Sequence, residues 1–96
     1  MDIKVDVEYC GACGYKDRFE EMASQIHSTV PSAEVNGTEG RRGSFEVQVN
    51  GTLIHSKLST MAFPDFSNVA EIVLNAAEGK PVQPVSKQQP INCVII

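Results

Sequence analysis

The sequence predicts a two-layer α/β sandwich with both helices on one face of a four-stranded mixed sheet. Three observations carry this. A strand–helix–strand run opens the chain, and such a run favours a right-handed parallel crossover. A hairpin pattern with Asn50-Gly51 at its turn follows. The strands alternate, so each offers one apolar face, and the helices have only one side of the sheet to cover.

Each element has its own justification. In "IKVDVEY", Ile3, Val5 and Val7 alternate with Lys4, Asp6 and Glu8, the period of a strand with one wet face. From Tyr15 to about Thr29, Phe19, Met22, Ala23 and Ile26 recur at helical spacing, and Pro31 ends the run. "AEVNG" supplies a short second strand. In "SFEVQVNGTLIHSK", Phe45, Val47 and Val49 alternate into the Asn-Gly turn and a fourth strand follows. A last helix spans roughly Asp65 to Glu78, with Val69, Ile72, Val73, Ala76 and Ala77 on one face. Asp65 or Ser67 is positioned to cap its start and Gly79 its end. The order β-α-β-β-β-α is that of a thioredoxin-type core without the helix that normally covers the second face.

At 96 residues the chain holds one small domain, assigned to 1–79. Residues 80–96, with Pro81, Pro84 and Pro90 among Gln, Ser and Lys, read as an extended, flexible tail. The formal charge is −4 and no stretch clusters Lys and Arg, which argues against nucleic acid as a partner. The opening "MDIKVDVEY" lacks the apolar core of a secretory signal, and no apolar run approaches the roughly 20 residues of a membrane span. The expected location is the reducing cytosol, so the two Asn-Gly-Thr sequons at Asn36 and Asn50 are read as turns rather than glycosylation sites.

In that compartment a close cysteine pair is more often catalytic or metal-binding than structural. Cys10 and Cys13 stand in "EYCGACGYK", just past the first strand and at the start of the first helix. A helix start presents unpaired N–H groups that stabilise a thiolate, Gly11 and Ala12 put little bulk around the sulfurs, and Gly14 lets the backbone turn tightly. A zinc site needs more ligands; His27 and His55 are the only histidines and lack the close spacing of a finger, so no metal is expected. A redox dithiol is the reading adopted, with an incidental pair as its bland rival.

"EYCGACGYKDRFEEM" and "GSFEVQVNGTLIHSK" resemble the selenoprotein W branch of the thioredoxin-like Rdx family, from Ile3 to about Glu78. That family's motif is Cys-x-x-Sec or Cys-x-x-Cys; Cys10 matches its first position and Cys13 its second. The resemblance implies a glutathione- or thioredoxin-linked thiol oxidoreductase with an antioxidant role, with no bound cofactor, glutathione as co-substrate and 14-3-3 proteins as partners. Family precedent makes Cys13 the attacking atom and Cys10 the resolving one, while thioredoxin precedent makes the first cysteine attack. The chain departs from thioredoxin in lacking the proline that faces the dithiol: the equivalent stretch is "EGRRGSF". Arg41 and Arg42 enter the third strand there. They are read as a solvated turn, or alternatively as contacts to a thiolate or a glutathione carboxylate.

Lesser candidates are Tyr9 and Tyr15 beside the dithiol, Phe63-Pro64 before the last helix, and His55, read as a half-exposed sheet residue. The ending "CVII" puts Cys93 in a C-terminal prenylation box, with a large aliphatic last residue that points to geranylgeranyl. The tail aligns the chain with the prenylated migration and invasion enhancer branch of the family. It implies a pool anchored on the cytoplasmic side of the cell membrane beside a soluble one. A rival from another class is a membrane-tethered signalling adaptor whose dithiol only switches its binding surface.

Overall fold

A computed structural model describes residues 3–89. Its elements are β1 (Lys4–Tyr9), α1 (Lys16–Thr29), β2 (Glu34–Glu39), β3 (Phe45–Val49), β4 (Thr52–Ser56), α2 (Lys57–Thr60) and α3 (Phe66–Ala77). The sheet order is β2-β1-β3-β4. β1 pairs parallel with β2 and antiparallel with β3, and β3 pairs antiparallel with β4. This is the expected mixed sheet.

Alternation decides which side the helices cover. Val5, Val7 and Tyr9 on β1, and Phe45, Val47 and Val49 on β3, are all buried. Against them lie Met22 and Ile26 of α1 and Val69 and Val73 of α3. Asp65 caps α3, its carboxylate accepting from Asn68 N–H at 3.1 Å. The hairpin turn holds Asn50 at φ 50° and Gly51 at φ 85°, the left-handed pair that matches the strands' twist. The other Asn-Gly pair is no turn: Asn36 and Gly37 lie within β2. Gly37 is needed for packing, because a Cβ there would come within 2.7 Å of the Phe19 ring.

Three further expectations are corrected. A four-residue helix, α2, follows β4 directly. His55 is buried rather than half-exposed, at 5%. The cause is a register break in which His55 pairs with Val47 while Leu53 pairs with Gln48, so Ile54 is extra and both Ile54 and His55 turn inward. Burial pushes the His55 pKa down, leaving a neutral ring whose Nε2–H donates to Ala62 O at 2.7 Å.

The third correction concerns the tail, whose first part is docked. Val82 and Val85 pack on the core. Val85 N–H donates to Ile54 O at 2.9 Å, and Asn68 Oδ1 accepts from Ser86 N–H and Lys87 N–H at 2.9 and 3.1 Å. Asp65 N–H donates to Lys87 O and Gln89 N–H to Phe63 O, both at 2.9 Å. Residues 82–89 therefore form a strap over β4 and the start of α3. Pro84 offers no donor, but the amides of Val85, Ser86, Lys87 and Gln89 find acceptors, two of them in one buried asparagine. Pro90 and Cys93 lie outside the described residues. Among the described residues, no helix is long and apolar enough to cross a membrane.

Candidate functional site

The strand registers bring one end of each of the four strands to the same end of the sheet. Tyr9 ends β1 opposite Glu39, which ends β2, and opposite Phe45, which begins β3. Glu46 pairs with Ser56, which ends β4. The loop after β1, the loop before β3 and the α2 segment therefore share this end.

Cys10 continues β1 by one residue, donating its N–H to Ser44 O at 2.9 Å. The chain then turns: Gly14 N–H reaches Gly11 O at 3.1 Å, Tyr15 N–H reaches Cys10 O at 3.3 Å, and Gly14 takes φ 76°. That turn folds Cys13 back on Cys10, and the two are joined as a disulfide with Cα atoms 5.3 Å apart. Cys13 N–H donates to Cys10 Sγ at 3.1 Å. Helix α1 begins only at Lys16, after an N-cap, Tyr15, whose side chain makes no cap bond. The amide aimed at sulfur is thus that of Cys13 rather than one inside the helix.

The two sulfurs differ in access. Cys10 is 1% exposed, whereas Cys13 is exposed on the turn. Cys13 Sγ is the sulfur open to an external thiolate, while Cys10 Sγ, the one such an attack would displace, already accepts an N–H.

The surroundings are aromatic on one side and anionic on the other. Tyr15 packs edge-on against Phe63 with centroids 4.9 Å apart, and Phe63 packs edge-on against Phe45 at 5.2 Å. Lys57 Nζ stands 5.2 Å from the centroids of both Tyr15 and Phe63. Arg18 lies 5.7 Å over Phe63 and pairs with Glu21 at 3.6 Å. On the opposite flank the Glu39 side chain lies against Gly11, where a Cβ would come within 3.0 Å of its Cγ.

Phe63, a candidate from the sequence, does stand beside the dithiol turn, whereas Lys57 escaped the sequence reading because α2 did. What holds α2 is Glu46, 7% exposed, whose Oε2 accepts from Lys57 N–H at 2.9 Å, Leu58 N–H at 3.3 Å and Phe45 N–H at 3.2 Å. Ser56 Oγ donates to Glu46 Oε1 and accepts from Ser59 N–H. Strand alternation placed Glu46 on the wet face, and only the fold covers it.

The arginine loop is built otherwise. Arg41 grips Glu8 bidentately, Nε to Oε2 at 2.9 Å and Nη2 to Oε1 at 3.0 Å, while its own N–H donates to Oε2 at 2.6 Å. Its Nη2 also stands 3.9 Å from Glu46 Oε1. Glu8 and Glu46 are register partners, like charges directly opposite, and Arg41 lies between them. Among the described residues, no hydrogen bond or ion pair joins Arg41 or Arg42 to either cysteine, and no cluster of three His, Cys, Asp or Glu side chains could hold a metal.

The Arg41 guanidinium first, then its backbone N–H, pulls the Glu8 carboxyl down from 4.5 to about 2. A carboxyl depressed by folding adds stability above its unfolded pKa, and that stability fades as pH falls through the folded value. Acid unfolding of the wild type should therefore steepen between pH 4.5 and about 2. In Arg41→Ala the Glu8 value, followed by NMR titration, should rise and that part of the acid sensitivity should vanish. An unmoved Glu8 titration would show that the pair is not formed in solution.

The comparisons agree with this fold. The family model described as Rdx family matches residues 4–75. Migration and invasion enhancer 1 of Mus musculus is 34% identical over 98% of this chain and 81% of its own. Selenoprotein W of Danio rerio is 35% identical over 81% of this chain and 94% of its own. A solved selenoprotein W-related protein from Vibrio cholerae superposes with TM-score 0.71 at 18% identity, covering 80% of this chain and 98% of that one. A Bordetella parapertussis structure gives 0.64 at 23% identity, over 80% and 95%. A family match across most of the chain, full-length relatives above 30% identity and a shared thioredoxin-like fold have one reading: this chain belongs to the Rdx family.

Proposed function

We propose that the chain is a thiol–disulfide oxidoreductase of the selenoprotein W type, with Cys13 attacking and Cys10 resolving. The observation that carries this is the unequal access of two sulfurs in one turn, one exposed and one 1% exposed beneath an amide. Membership of the Rdx family supports a thioredoxin-like redox role. The Cys13 thiolate attacks one sulfur of a substrate disulfide, forms a mixed disulfide and releases the other sulfur as a thiolate. The Cys10 thiolate then attacks Cys13 Sγ, closing the Cys10–Cys13 disulfide and releasing the second substrate thiol. Two glutathione molecules, or a thioredoxin, return the dithiol and leave as disulfide.

The "CVII" ending supports prenylation of Cys93, which would hold a share of this chemistry at the cytoplasmic face of a membrane. One such chain anchors reversibly. Binding to 14-3-3 proteins belongs to the same proposal, on the strength of the family resemblance.

The test is coupled turnover. Reduced protein, a small dialkyl disulfide, glutathione and a glutathione-recycling system should give sustained consumption of the disulfide above the uncatalysed rate. Alkylation and mass spectrometry of the oxidised protein should find Cys10 and Cys13 linked. Stoichiometric oxidation without turnover would leave the adaptor in its place. Two alkylatable thiols after oxidant would overturn the redox reading itself.

A further inference from the structure

Among the described residues, Lys57 is a cation without a counter-ion, seated on the ring of Tyr15, which follows the exposed Cys13 by two residues. It is half-buried, its Nζ rests on two ring faces, and among the described residues it makes no ion pair with a carboxylate. Arg18 is committed to Glu21, and Arg41 to Glu8 and Glu46; Lys16 and Arg42 are exposed and, among the described residues, rest on no aromatic ring. One of the rings beneath Lys57 is that of Tyr15, a residue two after Cys13 whose backbone N–H donates to Cys10 O. The backbone N–H groups of Lys57 and Leu58 are taken by Glu46, so the segment is pinned and its free charge is the ammonium alone. Glu39 stands against Gly11 on the other flank, which repels an anion from that side.

We propose that Lys57, presented by Tyr15 and Phe63, is a specificity contact for a carboxylate carried next to the reacting sulfur of an incoming thiol or disulfide. This rests on the oxidoreductase reading above and names the substrate class for it. An ammonium seated on aromatic faces is partly stripped of water and fixed in place, so pairing with an anion loses less side-chain entropy than at a free lysine. The carboxylate has two sources that share this chemistry: the glycyl end of glutathione, or an Asp or Glu beside the cysteine of a peptide. Thiols without a carboxylate at that distance would react by the same sulfur exchange, only more slowly.

The experiment measures the second-order rate at which thiols open the Cys10–Cys13 disulfide. The probes are glutathione, glutathione esterified at its glycyl carboxylate, and 2-mercaptoethanol. Wild type should prefer glutathione to the ester by about fivefold, the range of a single partly exposed ion pair. Lys57→Gln should erase that preference and leave the 2-mercaptoethanol rate unchanged, which also reports an intact fold. Lys57→Arg should retain it.

A second arm compares short peptide thiols with Cys-Glu and Cys-Gln. Discrimination there or with glutathione supports the contact and says which source it serves. A preference that survives in Lys57→Gln overturns the proposal. So does a uniform slowing of every thiol, which would place Lys57 in the sulfur's own reactivity. Wild type that discriminates carboxylates yet gives no coupled turnover would sink the catalytic reading while leaving this contact standing.

Discussion

A Cys10→Ser variant, mixed with a peptide disulfide and no glutathione, is expected to stop with the peptide bound to Cys13. Cys13 is exposed and can attack, but the resolving sulfur beneath it is gone. Cys13→Ser is expected to lose turnover by about a hundredfold or more, because exchange needs a thiolate that can line up with the target disulfide. The remaining sulfur, Cys10, is 1% exposed and sits behind the turn. Intact mass and peptide mapping decide between the sulfurs. Adduct on Cys10 in the Cys13→Ser protein, with none on Cys13 in its counterpart, would reverse the order and restore the thioredoxin-like sequence of events.

Replacing Phe45 with Ala should cost about 3–5 kcal/mol, the range for deleting a buried aromatic ring. Phe45 is fully buried opposite Tyr9, and its ring meets Phe63 at 5.2 Å and Phe66 at 6.2 Å. Small domains are stable by about 5–15 kcal/mol in all, so the variant would stand near the threshold of folding. Because Phe63 also supports Tyr15, the void would loosen the platform beside the dithiol. Gln48→Ala, exposed on the same strand, should stay within about 0.5 kcal/mol of wild type. Urea unfolding of the three proteins measures this. A loss below about 1 kcal/mol for Phe45→Ala would mean that the core collapses around the gap.

What could be read in the sequence was what local periodicity encodes. β1, α1, the Asn50-Gly51 hairpin and α3 each repeat a period long enough to count, and the Cys10–Cys13 spacing was legible between a strand and a helix. The misses share a cause. α2 has too few residues to show a period, and its anchor is Glu46, eleven residues before Lys57. His55 was misplaced by the extra residue at Ile54, since alternation assumes an unbroken register. The docked strap looked like linker because its composition is proline-rich, while its main acceptor, Asn68, is a polar residue buried on a helix face. Arg41 was weighed between solvent and thiolate. A cross-strand repulsion between Glu8 and Glu46, which no linear pattern exposes, gave it a different place.

The strap also bears on how the sheet avoids its own copies. Outer strands carry unpaired amides and carbonyls that can template pairing with another chain. On β2 the exposed charges of Glu34 and Glu39 discourage that approach. β4 has no charged side chain, and Leu53 is half exposed there. Its guard is the amide of Val85, which occupies the Ile54 carbonyl. A chain shortened ahead of Val85 would keep its dithiol turn but bare an apolar strand. Such forms would be set apart from the whole protein by a tendency to stack edge to edge, with their sulfur chemistry unchanged.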